Sequence, residues 1–390
     1  MPTVADGFRL WRERERADPP APGQRTPVDE YILAESIAAC AWRLDTSTPY
    51  LERLVDFWTN HFTVSRRVGV RVLVTVPCFV RDVIRPNVTG KFADMLVAAF
   101  KHPAMLGYLD QAASVGPNSR LGRRTRRGLN ENLAREILEL HTVSVAAGYT
   151  QQDVTEFARL LTGWNYERDK EPFGTIFHVA AHEPGPKTVL GHSFGEGEDT
   201  AEAALRFLAE QPATHRHLAT KLARHFVADT PPDTAVAKLE SVLRDTEGDL
   251  GAVARALPSL PEAWKPPFSK LRNPADYVTA VYRACGASGK DYGEAAFKVA
   301  SALGQPLWSA LQPNGWPDQG RDWLGPEAAM QRLDWAYQVA GQFARQNPMA
   351  VLDATLGPLA PSETRQAMRG AGSPQDALAL LFASAEFQRR

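Results

Sequence analysis

Apolar side chains that return every three or four residues are the feature that most limits what this chain can become. In YILAESIAACAWRL at 31–44 and YLERLVDFWTNHF at 50–62, that spacing gathers them on one side of a helix, because successive residues are rotated by about 100°. The pattern resumes after Ala201, in AEAALRFLAEQ, ATHRHLATKLARHFVA and TAVAKLESVLRD. It runs on through EAAMQRLDWAYQVAGQFARQ to PQDALALLFASAEFQ at the end. No fixed-period repeat accompanies it, so a solenoid is not indicated. The expected fold class is mainly α: a multi-helix globular bundle with a short extended or hairpin excursion near 165–198.

The punctuation agrees. Thr150, with Asp153 three residues on, reads as a capping box, and Gly163 as the stop of the helix that follows. Three stretches break the pattern. Residues 1–28 are charged and carry Pro19, Pro20, Pro22 and Pro27, so they read as a tail ahead of one large helical domain at 29–390, with a possible division near 199. VGPNSRLGRRTRRG at 115–128 reads as an arginine-rich loop. Gly, Pro and His residues dominate the excursion before residue 198.

Charge and composition exclude several function classes. With 44 basic against 45 acidic side chains the net charge is −1, so no global field recruits nucleic acid, and a nucleic-acid partner is not expected. The three cysteines, Cys40, Cys78 and Cys285, are far apart and form no CxxC pair, which argues against thiolate zinc and a disulfide framework. No apolar run approaches the ~18 residues of a membrane span, and the first twenty residues lack a signal-peptide core. A cytoplasmic protein with no membrane partner is expected. No HExxH, GxSxG or phosphate-loop pattern occurs.

Several blocks together resemble one bacterial family, the domain of unknown function 1800. They are LVDFWTNHFTV at 54–64, HPAMLGYLD at 102–110 and LNENLAREILELHTVSVAAGYTQQDVTEFARLLTGW at 129–164. HEPGPKTVL at 182–190, ATHRHLATKLARHFV, KLRNP, PNGWP and LFASAEFQ follow in order. The resemblance spans roughly residues 30–390 and implies a compact helical protein. It also implies a possible sulfatase-like partner from the domain of unknown function 1501 family, and export in other members.

Candidate chemistry falls on a few residues inside these blocks. On a helix from Glu131, the side chains of Glu131, Asn132, Arg135, Glu136 and Glu139 share an arc of about 140°. Asn130 stands just before it. That face is either solvated, with Glu131 and Arg135 as an ion pair, or buried and obliged to find partners. His61, with Trp58 and Phe57 on its helix face and Asp56 and Asn60 close in sequence, is either a core histidine or a ligand or base. His182, beside Glu183 and near Lys187 in the excursion, is a turn residue or an acid/base group. Asp153 supports the following helix. His215, His217 and His225 are expected at the surface or the core edge, and His141 in packing.

Two functions follow as expectations. The first is an enzyme whose site joins His61, Glu136, Glu139 and His182, in one version around a divalent or iron-type metal; the missing Glu-x-x-His pair weakens that version. The alternative is a binding or accessory protein. In it the loop LWSALQPNGWPDQGRDWL, too apolar for ordinary solvent exposure, walls a pocket or docks a partner through Trp308, Trp316 and Trp323.

Overall fold

The computed structural model describes residues 2–18, 20–21 and 23–390, and it is mainly α. The helices open where local chemistry predicts. Thr26 and Asp29 form a reciprocal cap at the start of Pro27–Asp45, and Thr150 and Asp153 do the same for Gln151–Leu161. The excursion forms two small antiparallel hairpins. Trp164–Glu167 pairs with Gly174–Phe177, and Lys187–Val189 pairs with His192–Phe194.

The structure corrects three expectations. Residues 4–16 are not a tail: Thr3 and Asp6 cap the helix Val4–Arg16, whose Phe8 and Trp11 are buried in the core. Pro19 and Pro22 lie outside the described residues. The arginine-rich segment is not all loop, because Ser119 caps a short helix, Arg120–Thr125. The helix that begins near Glu131 is α only over Asn132–Glu136 and continues as a π-turn, Ile137–His141. A π-turn rotates less per residue than an α-helix, so the 100° wheel fails beyond Glu136.

Two apolar clusters hold the molecule. One gathers buried side chains from Phe8 to Leu260; the other joins Cys40 and Leu44 to residues between Tyr277 and Phe387. The apolar packing therefore changes hands nearer residue 260 than 199. Helix Pro27–Asp45 serves both clusters, with Val28 in the first and Cys40 in the second. It is approached closely by Gly289–Ala302. A Cβ on Gly289 would stand 2.3 Å from the Ala41 carbonyl oxygen, so only glycine permits that contact. At the seam, Leu271 bridges Arg389 in antiparallel fashion and brings the last residues beside Arg272. Among the described residues no helix is long and apolar enough to cross a membrane.

Candidate functional site

Helix Pro49–His61 runs along this seam, and its polar side chains open into a cleft between the two clusters. The cleft has contiguous chambers; Arg43, Arg53, Asp56 and Asp276 line two of them. The chamber on the second cluster's side, about 410 Å³, is lined by five arginines and three carboxylates. Each carboxylate is already engaged. Glu52 takes both Arg85 Nη1 at 2.7 Å and Nη2 at 2.8 Å; Asp56 pairs with Arg43, and Asp276 with Arg390. Arg283 donates to the carbonyl oxygens of Arg43, Leu44 and Thr46, at the C-terminal end of helix Pro27–Asp45, where the helix dipole favours a cation. Arg272 Nη1 donates to the Arg389 carbonyl at 2.9 Å.

Arg53 is the exception. Among the described residues its buried Nε and Nη2 have no hydrogen-bond partner, and its guanidinium lies over the Phe226 ring, 5.1 Å from the centroid. Burial pulls Arg53 and Arg272 down to about 10, which still leaves both charged at neutral pH. Thr59 Oγ1, six residues further along the helix and also on the cleft, is likewise buried and unpartnered among the described residues.

The opposite wall is the tryptophan-rich loop, and Asn60 holds it there. Its Oδ1 accepts the Trp316 amide at 2.7 Å, and its Nδ2 donates to the Trp316 carbonyl at 2.9 Å. Gly315 makes this possible: its φ is +83°, and a Cβ there would lie 2.5 Å from Asn60 Oδ1. The loop thus walls the pocket. As partner anchors its tryptophans are poorly placed, since Trp323 is buried, Trp308 packs on the first cluster, and Trp316 faces the cleft with its ring centroid 6.0 Å from that of Trp323. Asp318, on the same loop, accepts His225 Nδ1 at 2.9 Å. It stays below the usual carboxylate range despite burial, because His225, Lys270 and Lys221 surround it.

A third chamber, about 400 Å³, continues past Asn60, Trp316 and Asp318 toward helix Pro212–Phe226. That helix presents His217, Lys221, Arg224 and His225 to it. His217 Nε2 meets the Leu140 carbonyl at 3.1 Å and His61 Nε2 the His141 carbonyl at 3.2 Å. A carbonyl oxygen only accepts, so both nitrogens carry hydrogen, and the two rings cap the open end of the π-turn. Burial, reinforced by Lys221, keeps these histidines neutral: His61 falls well below its ordinary value, His141 to about 3 and His217 to about 4.

The residues singled out from sequence separate into three places. His61 belongs to the histidine group just described, with Trp58 in the core beside it. Glu136 and Glu139 are near enough to each other that burial and Glu139 together raise Glu136, and Glu139 receives the Tyr149 hydroxyl at 3.4 Å. His182 lies in the excursion, where Nδ1 donates to the Thr162 carbonyl at 2.7 Å and Nε2 accepts from the Gly197 amide at 3.2 Å. Buried Lys187 sits 3.3 Å from that same Nε2, so His182 has neither nitrogen free for a ligand. Among the described residues no group of three or more His, Cys, Asp or Glu side chains is placed to hold a metal ion. The expected four-residue centre is therefore not assembled.

The supporting residues have local work. Asn130 Oδ1 accepts the Asn132 amide at 2.9 Å, and Asp153 Oδ1 accepts the Leu190 amide at 2.8 Å. Arg135 meets Glu131 at 3.1 Å in the ion pair weighed from sequence, and Gln151 and Thr155 complete the glutamate's partners. Sequence reasoning passed over Arg53, Lys221, Arg224 and Arg272. A signal existed: His217, Lys221 and Arg224 or His225 recur at helical spacing, marking one polar face beside that of Leu218 and Leu222.

The family model described as "Protein of unknown function (DUF1800)" matches residues 11–389, taking in the end of the first helix and nearly all that follows. No curated protein and no solved structure matches the chain.

Proposed function

Because this chain belongs to the family described as protein of unknown function DUF1800, its activity has to be read from its own cleft, and we propose that it binds a small anionic molecule there. The observation that carries the reading is the buried, unpartnered Nε and Nη2 of Arg53. An unsatisfied charged donor costs more than a neutral one, and a carboxylate or phosphate oxygen is the group that offsets it, because the guanidinium fork matches two such oxygens. The surrounding charges favour the same occupant: the acids of the chamber are engaged with other arginines, while Arg272 is satisfied only through a neutral carbonyl. Apolar walls from Trp308, Leu307 and Phe297 would bury the rest of the ligand.

Isothermal titration of the full chain with inorganic phosphate, benzoate and phenyl phosphate tests it. Wild type should bind at least one of them, and Arg53→Met should weaken that binding by about tenfold or more, which corresponds to about 1.4 kcal/mol. Equal affinity in wild type and Arg53→Met, or no binding by wild type, overturns the reading.

A further inference from the structure

Lys221 stands in the third chamber, and among the described residues its amine makes no hydrogen bond or close ion pair. Asp318 is the carboxylate that acts on it, and Asp318 is already bonded to His225; Arg224, three residues on, repels it. The Nε of Arg224 is itself buried, without a partner among the described residues. One turn earlier on the same helix face, His217 spends its Nε2 hydrogen on the Leu140 carbonyl, so its Nδ1 keeps a lone pair. The chamber therefore holds a primary amine, a neutral proton acceptor one turn away, and a second unpaired guanidinium. Its other charged or titratable walls are His61, His225, Asp318 and Asp322.

We propose that Lys221 is a nucleophilic amine that forms an imine with an aldehyde or ketone borne by an acidic small molecule. The proposal rests on the anion-binding reading for the ligand's acidic group, and on the third chamber alone for the amine. The Nζ lone pair attacks the carbonyl carbon, and the carbonyl oxygen takes up a proton to give a carbinolamine. Both protons come from the nitrogen: His217 takes the first and passes it to the oxygen in forming the carbinolamine, then relays the second to the hydroxyl, which leaves as water as the C=N bond forms. Atoms balance with water as the leaving molecule, and no oxidant or reductant takes part. Desolvation supports the role, since it brings Lys221 down to about 8 and so leaves free amine available near neutral pH.

The test is reductive trapping on the full chain with cyanoborohydride, using glyoxylate and, separately, the neutral aldehyde propanal, followed by peptide mapping. With both probes at pH 7, Lys221 should be labelled about tenfold or more above exposed Lys238 and Lys290. Lys221→Arg should remove that adduct; if this variant does not fold by circular dichroism, the wild-type ratio decides. Labelling of Lys221 no greater than of Lys238 and Lys290 overturns the proposal. Propanal carries no acidic group and so tests the amine alone, while titration with phosphate, benzoate and phenyl phosphate tests the anion reading alone. Lys221 labelling by propanal at the expected ratio, together with no binding of phosphate, benzoate or phenyl phosphate by wild type, would remove the anion reading and leave the amine standing.

Discussion

A guanidinium taken from water without a partner either loses its charge or waits for an anion. Arg53, held at about 10, keeps its charge, so without a ligand it is a destabilising residue. Replacing it with methionine, similar in length and apolar, should raise the unfolding free energy of the ligand-free protein by about 1–3 kcal/mol, the cost of an unsatisfied buried group. Urea denaturation in an anion-poor buffer checks the sign; a loss of stability would mean that Arg53 is a structural residue. His182 teaches the converse. Its neighbours in sequence, Glu183 and Lys187, suggest acid/base chemistry, yet three short contacts use both nitrogens. What a histidine can do depends on which nitrogen is free, and its sequence neighbours do not reveal that.

Between helices the decisive pieces are short and irregular. The π-turn Ile137–His141 leaves the Leu140 and His141 carbonyls open, and two histidines from other helices close them. At Trp316 the tryptophan loop is held by Asn60, at an approach that Gly315 permits. Gly315→Ala should therefore both strain the backbone and push Asn60 away, costing about 1–3 kcal/mol at a left-handed position and loosening the cleft wall. Thermal unfolding should show the lower Tm, and anion titration should show weaker binding. An alanine variant with wild-type Tm and affinity would show that the Asn60 clamp does not set the wall. Capping boxes were legible from sequence because they involve residues three apart. The fate of Glu139 was not, because the π-turn that begins at Ile137 redirects the side chains within it.

At the scale of the whole molecule, buried histidines tie stability to pH. His102 and His141 sit at about 3, His217 and His225 at about 4, against an unfolded value near 6.5. The unfolded chain thus binds more protons, so their contribution is complete above about pH 6.5 and is lost as pH falls through the folded values. The urea midpoint should decline steadily from pH 7 to pH 4. The unfolding free energy should fall with it by several kcal/mol, since each tenfold difference in proton affinity between the folded and unfolded chain is worth about 1.4 kcal/mol; a flat profile would mean that these rings are hydrated. The sequence by itself determined the mainly α class, the main helix starts and the family, since helical spacing and capping are written within a few residues of each other. Even so, the first helix escaped notice, hidden by the prolines that follow it. Only the tertiary structure decided which charges are satisfied. Asp318 comes to His225 across 93 residues and Asp276 to Arg390 across 114. Arg53 is left without a partner for the same reason: whether a buried charge is answered depends on what distant segments bring to the same few ångströms.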